Sequence, residues 1–204
     1  MKKTFFVFLT VALVLAAVIL LAAPVADALG SVNDLWEVLF PSGFATVTLE
    51  GQTETVPYEA GGQLPDAAPG FVIYYDTDRY TMTEESGVTY IRFVTDAQIP
   101  PCEVEIRHVP GILPDAAAAD IRAQQLPLWE TASGIEASTQ PEGLCFVLSS
   151  GMEWDSPREE VYCVSDGSRG TFRIHVRYFL EASEGHGTRF RQMLQTFSVL
   201  PAGQ

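Results

Sequence analysis

The segment Thr171–Phe179 (TFRIHVRYF) constrains the fold more than any other stretch of this chain. Successive side chains of an extended strand point to opposite faces. Phe172, Ile174, Val176 and Tyr178 therefore share one face, and Thr171, Arg173, His175 and Arg177 share the other. A strand that is apolar on one side and charged on the other belongs to a sheet with one dry and one wet face. Antiparallel sheets have that character, whereas strands of parallel sheets are buried on both faces and read as continuous apolar runs. The rest of the chain must supply antiparallel partners and a cover for the dry face.

Partners are legible on either side. Residues 71–75 (FVIYY) form an apolar strand, and residues 80–83 and 88–94 flank Glu85-Ser86-Gly87 as a hairpin. Another short strand, Glu103–Val109, follows the Pro100-Pro101 break. Residues 144–149 and 158–165 pair around a loop near Glu153-Trp154-Asp155, and residues 166–170 turn into the last strand. Two helices are expected. Pro114-Asp115 followed by four alanines opens one, since proline and an acid suit a first turn, and Pro127 ends it. Phe190, Met193, Leu194 and Phe197 fall at i, i+3, i+4 and i+7, a stripe that covers the sheet from a second helix. The order β-β-β-α-β-β-β-α describes an α+β fold: an antiparallel sheet of about six strands flanked by helices, spanning residues 71–201.

Upstream, residues 29–70 read as a spacer. Residues 34–40 make one or two amphipathic helical turns stopped by Pro41. Residues 45–50 and 53–58 suit a hairpin about Gly51-Gln52, with Pro57 confining its strand to an edge. Gly61, Gly62, Pro65 and Pro69 then mark a loop.

Residues 1–28 carry a targeting signal. Lys2 and Lys3 precede nineteen residues, 5–23, without a charge. Such a run enters hydrocarbon while the lysines stay at the cytoplasmic face, so the remainder is delivered outside. Ala26 and Ala28 are the small residues of a cleavage site, which makes residues 1–28 a signal peptide. The run also exceeds a typical cleavable core and is long enough to anchor the chain as a single transmembrane helix. The expected location is extracytoplasmic, secreted or anchored by that helix.

Three stretches carry a family resemblance: Phe71-Val-Ile-Tyr-Tyr-Asp76, Gly170-Thr-Phe-Arg-Ile-His-Val-Arg-Tyr178, and residues 189–199 (RFRQMLQTFSV). Across residues 71–201 the chain resembles the Mog1/PsbP-like α/β/α sandwich superfamily, which includes exported bacterial proteins. The resemblance implies a non-catalytic module for binding or assembly at a membrane, and it carries over no catalytic residue.

The residues themselves point to little chemistry. A formal charge of −14 repels phosphate backbones and argues against nucleic acid as a partner. Beyond residue 28 there is no lysine, which removes Schiff-base catalysis. No cofactor motif is present, since the glycines do not form a phosphate-cradling pattern. His108, His175 and His186 lack metal-ligand spacing, and Asp76, Asp78, Glu84 and Glu85 lack the glycine and rhythm of a calcium loop, so no metal is expected. Ser149-Ser150-Gly151 lacks the nucleophile-elbow signature of a hydrolase.

Two local arrangements remain. Simple pairing about residue 154 sets Cys145 opposite Cys163, within reach for a disulfide in an exported protein; as strand residues they equally suit small buried positions. Arg173, His175 and Arg177 form the one basic face of an acidic protein. It suits an anionic partner, or pairing with acids such as Glu159, Glu160 and Glu181 across neighbouring strands. The expected function is an exported or tethered non-catalytic domain that binds an envelope protein or small ligand, the alternative being an exported hydrolase with an unrecognised site.

Overall fold

A computed structural model describes residues 32–49 and 51–202. The chain divides into two units, Met1–Ser42 and Gly43–Gln204. In the first, helix α1 (Val32–Leu39) is followed by Phe40, whose amide donates to the Trp36 carbonyl and whose ring lies 4.8 Å from the indole. Residues 1–28, including the Ala26 and Ala28 cleavage site, lie outside the described residues. Among the described residues no helix is long and apolar enough to cross a membrane, so the transmembrane helix expected within residues 1–28 has no counterpart there.

The second unit is mainly β, with two sheets in place of the expected six-stranded α+β sandwich. The small sheet holds β1 (Gly43–Leu49), β2 (Gln52–Gln63), β3 (Gly70–Asp76) and β12 (Ser198–Leu200), in that order. The large sheet holds eight strands. Its path is β4 (Tyr80–Glu85), β5 (Val88–Phe93), β6 (Glu103–Val109), β11 (Thr171–Phe179), β10 (Pro157–Ser165), β9 (Glu142–Ser149) and β7 (Thr131–Ala132). Strand β8 (Glu136–Thr139) also pairs with β9. Every pairing is antiparallel. Among the described residues only three helices occur, α1, α2 (Pro114–Gln125) and α3 (His186–Leu194), with two short 3-10 turns.

Local chemistry explains why β2 runs through residues that read as a loop. At Gly61 a Cβ would stand 2.4 Å from the Met82 sulfur, and at Gly62 (φ 143°) it would stand 2.1 Å from the Phe71 carbonyl oxygen. The glycines allow close approach of neighbouring chains within a strand. Pro57 also sits in an interior strand. Its carbonyl accepts from the Thr77 amide, just past Tyr58↔Asp76 where the β3 ladder begins, so its missing N–H falls where β3 offers no partner. Ser86 (φ 53°) and Gly87 (φ 74°) form the two-residue β4–β5 turn, whose positive dihedrals match the strand twist.

The main core lies between the small sheet with α3 and the inner face of the large sheet. Phe71 and Ile73 meet Phe172, Ile174 and Val176, and Phe190, Met193 and Leu194 enter from α3. Phe71 packs against Phe172 and Phe197 with centroids 5.6 and 5.5 Å apart. The helical stripe therefore breaks early: α3 ends at Leu194, and Phe197 sits in the link to β12. A second cluster forms on the outer face, where Ala117, Ala118 and Ile121 of α2 cover Phe146, Leu148, Val161 and Cys163. The face expected to be wet is thus wet only beyond α2.

Candidate functional site

The outer face beyond α2 carries a lattice of charged side chains whose positions follow from strand register. Arg92 lies opposite Glu103, Glu103 opposite Arg177, and Arg177 opposite Glu159, so one row alternates in sign across β5, β6, β11 and β10. The contacts match. Arg92 Nε donates to Glu103 at 3.2 Å, and its Nη1 donates to Glu85. Arg177 Nη1 donates to Glu103 at 2.9 Å and to Glu105 at 2.8 Å, while its Nε donates to Glu159 at 3.0 Å. His175 Nδ1 lies 2.8 Å from the same Glu159 oxygen. That carboxylate only accepts, so Nδ1 carries the proton.

Charge pairing sets the acid–base state here. Burial pushes Glu159 upward, yet the His175 and Arg177 contacts outweigh it and hold the carboxyl below its ordinary range. Arg177 is raised by Glu159, Glu105 and Glu103 against the opposing effect of burial. The basic face expected from Arg173, His175 and Arg177 is therefore split. His175 and Arg177 are engaged by acids, as cross-strand pairing allows, whereas Arg173 has no ion-pair partner among the described residues. Glu160 does not join them. It points inward and accepts from Tyr178 at 2.6 Å, Tyr162 at 2.7 Å and Arg191 Nε at 2.9 Å.

The cysteines do not meet. Observed register sets Cys145 opposite Tyr162 and Cys163 opposite Leu144, one residue from the expected pairing. A slip of one residue reverses the side-chain face. Cys145 packs against the main core, Cys163 lies under α2, and both are free, as is Cys102. Burial pushes the Cys163 and Cys102 thiols up to about 11, which leaves both protonated and unreactive at neutral pH.

Each histidine has a separate partner. His108 Nε2 donates to Asp166 at 2.9 Å, His175 donates to Glu159, and His186 Nδ1 shares a hydrogen bond of 2.7 Å with the buried Tyr80 hydroxyl. Burial, then Arg189 and Arg79, hold His186 below its usual value. Asp76 spends its carboxylate on Arg79 and Arg189, and Glu85 spends its own on Arg92, so the acidic cluster of the sequence is not assembled. Among the described residues no group of three His, Cys, Asp or Glu side chains is placed to hold a metal ion. Ser149 and Ser150 bond with Thr131 and the Glu130 amide.

Sequence reasoning missed Glu103, Glu105 and Arg107 as members of the face. The alternation Glu103-Val-Glu-Ile-Arg107 on β6 was the available signal, since it places all three on one side. No protein-family model matches the chain, and no curated protein matches it.

Proposed function

We propose that this protein is an exported, non-catalytic domain that binds a component of the cell envelope through the outer face of its large sheet. One observation carries the reading: the three histidines are spent on internal partners, while a polar face stands open beside α2. All three histidines are engaged by Asp166, Glu159 or Tyr80. Arg92, Arg107 and Arg177 keep 38%, 53% and 34% of their side chains accessible. Such a face suits recognition through charge and shape, with geometry preset by the ladder. Export is supported by Lys2, Lys3 and the uncharged run that follows, with Ala26 and Ala28 beyond it.

The test has two arms. Residues 1–40 fused to a reporter active only outside the cytoplasm should give signal, and N-terminal sequencing should place the mature start after Ala28. A stronger signal from a cytoplasmic reporter overturns export. In cells, a photo-crosslinking residue in place of Arg92 should form a discrete adduct with an envelope component, and one in place of Arg122 on α2 should not. Equal labelling from both positions overturns the assignment of the face.

A further inference from the structure

We propose that Arg107 and Arg173 form a binding site for a phosphoryl group carrying two negative charges. The proposal names the ligand chemistry of the face assigned above and rests on that reading. Three rows of the lattice can be followed along the strands. The first alternates in sign, Arg92, Glu103, Arg177 and Glu159, and the second sets Glu105 beside His175. In the third, Arg107 stands directly opposite Arg173, with Val88 and Cys163 as the flanking cross-strand neighbours. Like charges directly opposed on adjacent strands repel.

The acids of the face do not relieve this pair. Glu103 and Glu159 are committed to Arg92, Arg177 and His175. Glu105 bonds Arg177 through Oε2 and comes only within 3.9 Å of Arg107 through Oε1, and Glu85 bonds Arg92. Arg173 Nε is covered from water and has no hydrogen-bond partner. A covered guanidinium donor without an acceptor, next to a second cation in a chain of net charge −14, is a local deficit of negative charge. A phosphate monoester supplies up to two charges and three acceptor oxygens, which matches two cations and the planar donor fork of arginine. A neutral ligand can supply acceptor oxygens but not the negative charge.

Free phosphate and a phosphorylated headgroup share this chemistry. The full chain, purified in a non-ionic detergent, is titrated with inorganic phosphate and separately with glycerol phosphate, following thermal stability and heat of binding at constant ionic strength. Saturable binding of at least one is expected, with chloride producing none. Tighter binding of glycerol phosphate assigns the site to a headgroup, and equal or weaker binding assigns it to the free anion. Arg173→Ala and Arg107→Ala should each weaken binding about tenfold or more, and Arg173→Lys should weaken it less than Arg173→Ala because charge is kept and the fork is lost. Arg122→Ala on α2, whose Nε donates to the Ser133 carbonyl, should leave affinity unchanged. Unliganded melting temperature reports whether each variant is folded. Absence of saturable binding by the parent chain, or equal affinity in folded Arg173→Ala, overturns the site. Anion binding without envelope adducts from the Arg92 position would defeat the proposed partner and leave the phosphoryl site standing; adducts without anion binding would do the reverse.

Discussion

The two faces of β11 share one backbone and one set of neighbouring strands, yet they are built on different physics. On the inner face, Phe172, Ile174 and Val176 are fully buried against the small sheet and α3. On the outer face, Arg177 and His175 are also substantially covered, with side chains 34% and 13% accessible, but neighbouring acids cover them. The inner face draws on apolar burial, which is non-directional and roughly proportional to area. The outer face draws on opposed charges, which are directional and weak where water competes. The comparison teaches that alternation in a sequence divides dry from polar and does not divide buried from exposed.

The largest expected effect tests the inner face. Phe190→Ala removes a fully buried ring that lies 5.2 Å from Tyr80 by centroid. It should cost roughly 3–5 kcal/mol in chemical denaturation, from lost transfer energy and the cavity left behind. A cost under about 1 kcal/mol would show that α3 does not seal this core.

Next comes an acid buried on the inner face. Glu160 is buried and accepts from two tyrosines and Arg191. Glu160→Ala should cost about 2–3 kcal/mol, chiefly because two tyrosine hydroxyls lose their acceptor. Arg191 moderates the loss, since its side chain is 47% accessible and can be hydrated. Tyr162→Phe should cost less than Glu160→Ala, because it leaves the carboxylate the Tyr178 hydroxyl and the Nε and Nη2 donors of Arg191. The reverse order in denaturation would mean that the tyrosine, and not the acid, organises the cluster.

A third test uses pH at the turn between β10 and β11. Burial raises Asp166, but the His108 ring and the amides of Gly170 and Ser168, with the Ser168 hydroxyl, outweigh it and hold the carboxyl at about 2. A folded value below the ordinary 3.8 favours the ionised form in the fold. The stabilisation is complete above about pH 5 and is lost as pH falls toward 2. It amounts to roughly 2 kcal/mol. Asp166→Asn should flatten the decline in stability between about pH 5 and 2, and an unaltered decline would place the acid sensitivity elsewhere.

How much of this was legible in the sequence depends on the range of the interactions involved. Strands β3 to β6 and β9 to β11 were readable because alternation and turn residues are local signals. The opening of α2 at Pro114 was readable for the same reason. Strand β12 was not, because three residues (Ser-Val-Leu) beyond a helical stripe have no period of their own and become a strand only by pairing with β3. Residues 43–63 were read as spacer and hairpin; Gly61 and Gly62 signal a loop locally, and only Met82 and Phe71 reveal them as contact points inside β2. Those two omissions concealed the small sheet and led to the α+β reading. The cysteine pairing failed on one residue of the loop between β9 and β10, where Ser149 pairs with Arg158 and the Ser156 amide closes onto the Glu153 carbonyl. At the site, the basic residues of β11 and the Glu159 partner on β10 were visible, but Glu103 and Glu105, which also hold Arg177, arrive from β6, some 70 residues earlier, through register alone.

The smallest expected effect divides the outer face against itself. Arg107→Ala and Arg177→Ala remove the same charge from neighbouring strands of one sheet. Arg177 donates to Glu103, Glu105 and Glu159, so its loss leaves three carboxylates facing one another and should cost about 1–2 kcal/mol. Arg107 is 53% accessible, touches Glu105 only at 3.9 Å and stands opposite Arg173. Its loss removes a weak attraction together with a cross-strand repulsion. The net should lie within about 0.5 kcal/mol of zero, on the stabilising side at low salt, where repulsion is least screened. Raising salt should shrink both effects and bring the variants together. Denaturation at two ionic strengths checks this. If Arg107→Ala costs as much as Arg177→Ala, bulk coverage of the sheet sets the stability of this face, and the pattern of charge along the rows does not.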